Sequence, residues 1–222
     1  RVARNSQEVV AILVEPIQGE AGIRIPSAGY LEGLRAICNR HGWLLIFDEI
    51  QCGLCRTGEW YAYQHEDVIP DVLTTAKALA NGFPIGACVA RGEAAEAFTP
   101  GRHGSTFGGN PLASRTASRV LELMAEMDLP AMAAQTGREM VNEFKQRLEG
   151  DSRVTDIRGR GLMIGIEFDR DVNDLKTAAL DAGLLINVTR NNVVRLLPPL
   201  IIDQEQSAQI VDTVCNLAQD LD

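Results

Sequence analysis

The chain contains 222 residues, of which 45% are hydrophobic and 23% charged, a composition typical of one large globular domain or of a domain with a smaller companion. Its net charge of −9 argues against binding to the nucleic-acid backbone, which requires clustered lysine and arginine. No apolar run reaches the roughly 18 to 20 residues of a membrane-spanning helix, and five cysteines fit a reducing, cytoplasmic compartment better than a disulfide framework.

The first half of the sequence alternates strand and helix patterns. Residues 9–14 form a continuous apolar run, typical of a strand covered on both faces. Such a strand so close to Arg1, without an initiator methionine, indicates a fragment of a longer protein. Residues 30–40 have helical apolar spacing and are followed by Gly42, a helix stop signal. Further strands are predicted at residues 43–47, 72–75 and 85–90.

The second half has a different order of elements. Amphipathic helices are predicted at residues 113–127 and 131–148. Strands at 154–157 and 162–168, a helix at 173–182, strands at 184–188 and 193–197 and a helix at 204–221 follow. The order β-β-α-β-β-α predicts a small α+β domain with a partly antiparallel sheet.

Alternating strands and helices in the first half predict an α/β fold with a parallel, doubly wound sheet. Ligands of such sheets bind at the carboxyl ends of the strands. Glu15, Asp48 and Lys77 each lie at or just beyond a predicted strand end, so we expect them at one edge of the sheet.

Lys77 lies between an apolar β-type run and a Gly/Pro-rich turn. Partial burial there would disfavour the charged ammonium, and a neutral amine can form a Schiff base with an aldehyde. Asp48 ends the preceding predicted strand. A lysine and an acid delivered by neighbouring strands are what a pyridoxal phosphate (PLP) enzyme needs, the acid serving the pyridinium nitrogen.

Several motifs, in order along the chain, resemble those of the class III, fold-type I PLP-dependent aminotransferases. They are EPIQGE at 15–20, DEIQCGLCRTG at 48–58, TAKAL at 75–79, GSTFGGNP at 104–111 and VVRLLPP at 193–199. Within that family, NGFPIG at residues 81–86 is most similar to the acetylornithine aminotransferase branch.

The resemblance implies a domain organisation. Residues 1–140 would be part of the large PLP-binding domain, and residues 141–222 the C-terminal small α+β domain. The family's Gly-Thr phosphate turn, its ring-stacking aromatic residue and a second substrate arginine would all precede residue 1. A homodimer is implied as well, because a hydroxyl of each subunit reaches the cofactor of the other.

The resemblance also assigns roles at the cofactor. Lys77 matches the catalytic lysine, which bonds PLP through an imine and carries the proton of the 1,3-shift. Asp48 matches the partner of the pyridine nitrogen, and Gln51 the residue that packs by the phenolic oxygen. Thr106 matches the hydroxyl that binds the phosphate of the neighbouring subunit's cofactor.

Two further residues match substrate-binding positions. Arg195 corresponds to the guanidinium that clamps a substrate carboxylate through a bidentate fork. Glu20 corresponds to the carboxylate that pairs with this arginine and releases it when the dicarboxylic substrate arrives. Such a switch would let the enzyme accept both a basic-type amino donor and 2-oxoglutarate.

The function implied is transamination of the terminal amine of N-acetylornithine to 2-oxoglutarate, giving a semialdehyde and glutamate, in cytoplasmic arginine biosynthesis. Ornithine, succinylornithine and 4-aminobutyrate remain alternative donors. An aminomutase on the same fold and a non-catalytic fragment are rival interpretations.

The same residues could also have purely structural roles, without any contact to a cofactor or substrate. Lys77 could be a surface lysine, the pair Asp48-Glu49 a helix N-cap, and Thr106 a turn residue. Arg195 could be a strand arginine paired with a surface acid. The Cys52-x-x-Cys55 pair lacks a second pair at zinc-finger spacing, so no metal site is predicted.

Overall fold

A computed structural model describes residues 8–221. The chain divides into two compact units. The first comprises the residues up to Pro16 together with Pro26–Leu54 and Glu59–Asp128, and the second comprises Ile17–Ile25, Cys55–Gly58 and the chain from Leu129 onwards. None of the helices in residues 8–221 is both long and apolar enough to cross a bilayer.

Within the described residues, the first unit contains a four-stranded sheet of order β1-β2-β3-β4. Its strands are Ala11–Val14, Leu44–Asp48, Val72–Thr75 and Ala87–Ala90. β1, β2 and β3 are parallel neighbours, whereas β4 pairs with β3 in the antiparallel sense. The predicted parallel-rich α/β sheet is therefore confirmed, with one antiparallel edge strand.

The helix α1, Tyr30–His41, connects β1 to β2 and covers one face of the sheet. Its buried residues Leu31 and Cys38 pack with Leu45 and Phe47 of β2. The helix ends as predicted at Gly42, which adopts a φ of 68° and donates its backbone N–H to Cys38. A positive φ costs glycine little, so this residue can close the helix.

The expectation that β1 is covered on both faces is wrong for the described part of the chain. Ile12 and Val14 pack with the cluster under α1. Leu13 points to the other face and is 65% exposed. β1 is an edge strand with a helix packed on one of its faces, so alternate side chains differ in burial.

The remaining elements of the first unit follow its strands along the chain. Two 3-10 turns, Ala62–His65 and Lys77–Ala80, follow β2 and β3. The short helix α2 spans Glu93–Glu96, and α3 spans Pro111–Glu126. Asn110 caps α3 by accepting the backbone N–H of Ala113 at 3.0 Å.

The second unit has an antiparallel sheet of order β5-β6-β8-β7. Its strands are Val154–Arg160, Met163–Phe168, Asn187–Thr189 and Val193–Leu196, in numerical order. Its helices are α4, Leu129–Arg147, α5, Leu175–Asp181, and α6, Gln204–Gln219. The predicted order β-β-α-β-β-α is confirmed, and the described sheet is antiparallel throughout.

The core of the second unit explains where the units divide. Met140 and Phe144 of α4 are buried in the same cluster as Ile164 and Ile166 of β6. The domain division predicted between residues 140 and 141 falls inside α4. The compact units divide instead at the start of this helix, because its apolar face belongs to the core of the second unit.

Two early segments of the chain complete the second unit. Arg56 accepts the backbone N–H of Leu162 at 2.9 Å, and its guanidinium donates to the carbonyl groups of Leu162 at 3.0 Å and Pro198 at 2.6 Å. Burial lowers the pKa of this guanidinium to about 10. Arg56 thus ties residues far apart in sequence into one unit.

Candidate active site

One group of candidate residues lies in the first unit, at the carboxyl ends of β2 and β3. Asp48 is the last residue of β2 and is the cross-strand partner of Thr74 in β3. The backbone N–H of Glu49 donates to the carbonyl oxygen of Thr74 at 3.0 Å, which holds the two strand ends together. Lys77 lies three residues after Thr74 in the sequence, at the same edge of the sheet.

Asp48 is half-buried and partly oriented by its own loop. Its Oδ1 accepts the backbone N–H of Ile50 at 3.0 Å. Leu45 and Phe47 face α1, so the alternation of side chains places Asp48 on the opposite face of the sheet. The carboxylate is therefore held at a strand end, away from the apolar layer under α1.

Lys77 is the first residue of the 3-10 turn and has a φ of 45°. A non-glycine residue in this region costs about 1 to 3 kcal/mol, and such residues concentrate at functional sites. Leu79 and Ala80, which end the turn, are buried, and the turn packs against α3. The backbone of Lys77 is thus held in place by the packing of the residues that follow it, and not by contacts of its own side chain.

The expected burial of Lys77 is wrong for the described chain, because its side chain is exposed. The chain leaves the sheet after Thr75 and turns outward, so the apolar run that precedes the lysine does not enclose it. Exposure leaves the amine accessible to a ligand at the sheet edge.

Glu49 is a buried carboxylate that the sequence identified only as a structural residue. Its Oε1 accepts the backbone N–H of Tyr63 at 2.8 Å, and its Oε2 accepts that of Ala62 at 2.9 Å. Cys52 donates its thiol to Oε2 at 3.2 Å. Burial raises the pKa of Glu49, and these hydrogen bonds only partly offset the effect. Glu49 therefore caps the turn at Ala62–His65 and fixes the loop that also contains Gln51, which is half-buried.

Thr106 lies in the glycine-rich loop before α3 and is exposed. Ser105 Oγ accepts the backbone N–H of Gly108 at 3.0 Å, and Asn110 Nδ2 donates to the carbonyl of Phe107 at 2.9 Å. These local bonds give the loop a defined shape around Thr106. The neighbouring Phe107 is 82% exposed, so this loop presents both a hydroxyl and an apolar ring at the surface.

A separate group of candidate residues lies in the second unit. Arg195 of β8 donates Nη1 to Glu20 Oε1 at 2.6 Å. The arginine side chain is only 10% exposed, whereas that of Glu20 is 73% exposed. The two residues predicted to form a switch are therefore paired, with the buried partner supplying the cation and the exposed partner the anion.

The structure also shows functional candidates that sequence reasoning missed. Arg24 forms a bidentate pair with Glu167, and Arg158 contacts the same carboxylate. These residues fix the segment that carries Glu20. No local pattern signals them, because each contact joins positions more than a hundred residues apart or in different strands.

Solved aminotransferase structures share this fold. The ornithine aminotransferase of Toxoplasma gondii has a TM-score of 0.89 and 39% identity, covering 93% of this chain and 50% of its own. The acetylornithine aminotransferase of Elizabethkingia anophelis has a TM-score of 0.91 and 36% identity, covering 99% of this chain and 59% of its own. The fold is therefore that of the fold-type I PLP-dependent transferases.

Sequence comparison narrows the class to one family. The model described as aminotransferase class-III matches residues 1–217, and the chain belongs to this PLP-dependent family. The acetylornithine aminotransferase of Nitrosomonas europaea is 50% identical over 217 residues, which are 98% of this chain and 55% of the relative. The chain spans about half the length of the curated relatives that it matches. The family resemblance seen in the sequence motifs is confirmed.

Proposed function

We propose that the protein containing this chain is a PLP-dependent aminotransferase that transfers the terminal amine of N-acetylornithine to 2-oxoglutarate. The products are a semialdehyde and glutamate, and the pathway is arginine biosynthesis in the cytoplasm. One observation carries the proposal: Asp48 and Lys77 lie at the carboxyl ends of adjacent parallel strands. The curated relatives named acetylornithine aminotransferase support the choice of donor.

The residues at the sheet edge fit PLP by their chemistry. A half-buried acid and an accessible amine on adjacent strands match the two ends of a pyridine aldehyde. When bound, PLP supplies an electron sink for the negative charge that develops on the substrate carbon. Asp48 would hold the proton of the ring nitrogen, and Gln51 would pack by the phenolic oxygen. Thr106 would bind the cofactor phosphate of the partner subunit in a homodimer.

Lys77 has the central chemical role in this proposal. Its Nζ would bond the cofactor at rest and would be released when the substrate amine takes its place. The freed amine would then move the proton from the substrate carbon that carries the reacting amine to the cofactor. A general base must lie within hydrogen-bonding reach of the proton it removes. The rigid turn at Lys77–Ala80 supports this role, because it fixes the lysine backbone while leaving the amine accessible.

Arg195 and Glu20 would adapt the enzyme to two substrates. With the pair closed, the charge of Arg195 is neutralised, which suits a donor whose reacting end carries no carboxylate. A dicarboxylic acceptor would displace Glu20 and bind Arg195 through a charge-assisted fork. The strong exposure of Glu20 supports this role, because its carboxylate can move into solvent at little cost.

The proposal is tested by reducing the complete, PLP-loaded protein with borohydride and mapping the labelled peptide by mass spectrometry. The label should be found on Lys77 and should be absent in Lys77→Ala, whereas Lys145→Ala, an exposed position on α4, should be labelled as in the wild type. Turnover is then compared for N-acetylornithine, ornithine and 4-aminobutyrate with 2-oxoglutarate. Label on another lysine would overturn the assignment, and turnover without any 2-oxoglutarate would indicate an aminomutase.

A further inference from the structure

The switch segment, Ile17–Ile25, carries Glu20 and belongs to the second unit. We propose that Arg158 is a positioning residue for the Glu20–Arg195 switch: its guanidinium fixes the backbone of the switch segment, so that only the Glu20 side chain moves when a carboxylate reaches Arg195. This inference rests on the proposed function, since it concerns how the two substrates are told apart.

Arg158 binds the switch segment through backbone carbonyl groups. Its Nε donates to the carbonyl of Ile23 at 2.7 Å and to that of Gly22 at 3.1 Å, and its Nη2 also donates to Gly22. The side chain is only 12% exposed, so these charge-assisted bonds are shielded from solvent. Because the acceptors are backbone atoms, the contact restrains the path of the chain itself.

A carboxylate cluster holds Arg158 in this position. Its Nη1 contacts Glu167 Oε2 and Asp156 Oδ2, each at 2.7 Å. Arg24, at the end of the switch segment, binds the two oxygens of Glu167 at 2.9 and 3.0 Å. Burial alone would raise the pKa of Glu167, but hydrogen bonds from the two arginines lower it. The anion therefore links both arginines to β6.

Apolar packing removes the remaining freedom of the segment. Ile23 is fully buried, and a Cβ placed on Gly165 of β6 would come within 3.1 Å of its side chain. Gly22 lies so close to β8 that a Cβ there would meet Val193 at 3.0 Å. The backbone of Gln18 and Arg24 pairs in a β-bridge that closes the loop around Glu20.

Rigidity of the segment has a consequence for the two substrates. A fixed backbone keeps the Glu20 carboxylate at Arg195 whenever no dicarboxylate is present. A looser segment would leave Arg195 unmasked for a larger fraction of the time. Apparent affinity scales with the fraction of molecules that are competent to bind. Loosening should therefore strengthen dicarboxylate binding and weaken binding of a donor that needs the closed pair.

The test uses Arg158→Met in the complete, PLP-loaded protein, with Arg160→Met as the matched control at an exposed position of the same strand. Calorimetry measures the Kd of glutarate, an unreactive dicarboxylate, and kinetics measure the KM of N-acetylornithine. In Arg158→Met we expect the glutarate Kd to fall and the donor KM to rise, each by about three- to tenfold, the size of a typical contact coupling. Arg160→Met should change neither constant by as much as twofold.

Epistasis with Glu20 separates positioning from a general effect on folding. In a Glu20→Gln background the switch is already open, so Arg158→Met should add less than a twofold change. An equal effect in both backgrounds, or weakening of both ligands together, would overturn the proposal. Should Arg158→Met fail to fold, Arg158→Lys keeps the charge without the fork and should shift both constants in the same opposed directions. No shift with that variant would also overturn it.

Failure of the proposed function would look different. If Arg195→Ala left the glutarate Kd unchanged, Arg195 would not be the carboxylate clamp, and the function and the switch would fail together. If Arg195→Ala weakened glutarate but Arg158→Met left its Kd unchanged, only the positioning role would fail.

Discussion

Glu49 Oε1 accepts the backbone N–H of Tyr63 at 2.8 Å, a contact across 14 positions of sequence. Glu49 adjoins Asp48, so the same loop carries one carboxylate toward the sheet edge and another into the interior. The buried carboxylate fixes the loop, and the half-buried one remains available for a ligand.

Glu49→Gln should destabilise the protein by about 1 to 3 kcal/mol, the cost of leaving a buried backbone donor unsatisfied. Both carboxylate oxygens accept N–H groups, and an amide can accept at only one of its two positions. Thermal unfolding of this variant and of Glu32→Gln, an exposed control on α1, measures the difference. Equal melting temperatures for the two variants would contradict the capping role.

The same substitution has a predicted pH dependence. Burial raises the pKa of Glu49 above its ordinary value of 4.5, so the folded state holds this proton more tightly than the unfolded state. The stabilisation linked to that proton is present below pH 4.5 and is lost as the pH rises through the raised pKa. The stability gap between wild type and Glu49→Gln should therefore narrow as the pH rises. A gap that widens over this range would show that the folded-state pKa is lowered instead.

Asp48→Asn should leave the fold intact and reduce transamination by about a hundredfold or more, because a neutral amide cannot stabilise the protonated ring nitrogen. The measurement combines turnover with the visible absorbance of the bound cofactor. Asp67→Asn is the matched control, since Asp67 is exposed and asparagine tolerates its φ of 51°. Full activity in Asp48→Asn would remove this residue from the cofactor site.

Arg195→Ala should weaken glutarate binding by about 2 to 5 kcal/mol, because it removes the buried guanidinium with which the ligand carboxylate would pair. Glu20→Gln should have the opposite effect, since it removes the competitor for the same guanidinium. Calorimetric titration of both variants gives the two signs in one experiment. Changes in the same direction would show that the two residues do not compete with the ligand as proposed.

Gly137→Ala should destabilise the second unit by about 1 to 3 kcal/mol or more, the usual cost of overpacking. A Cβ at this position in α4 would lie 1.9 Å from the carbonyl oxygen of Gly161. Gln135→Ala, an exposed change on the same helix, controls for helix propensity. Unchanged thermal stability of Gly137→Ala would mean that the helix can move away from Gly161.

The elements that position Asp48 and Lys77 were predictable because their signals are local. Asp48 and Lys77 each follow a short apolar run that ends at a turn, and this pattern predicted the strand ends to within two residues. The stop of α1 at Gly42 was equally local. Such signals depend on the chain's own backbone preferences, so a single sequence contains them.

Other features depend on contacts that no local pattern reveals. Leu13 has the same residue type as the buried Leu45, and the two differ in burial because Leu45 faces α1 whereas Leu13 points to the other face of the sheet. The exposure of Lys77 follows from a turn whose direction is set by packing on α3. Arg158 reaches carbonyl groups that precede it by 135 and 136 positions.

The second unit includes two short stretches from early in the chain, Ile17–Ile25 and Cys55–Gly58. A gene that began at residue 129 would therefore encode the second unit without these two stretches. The surfaces at Gly165 and Gly161, which each stretch covers in the intact chain, would be left uncovered. A recombination event that exchanges this unit between relatives meets the same constraint, because the unit is encoded by three separate stretches of the gene. Exchanging only its distal portion would place Arg195 in a chain whose Glu20 comes from a different parent.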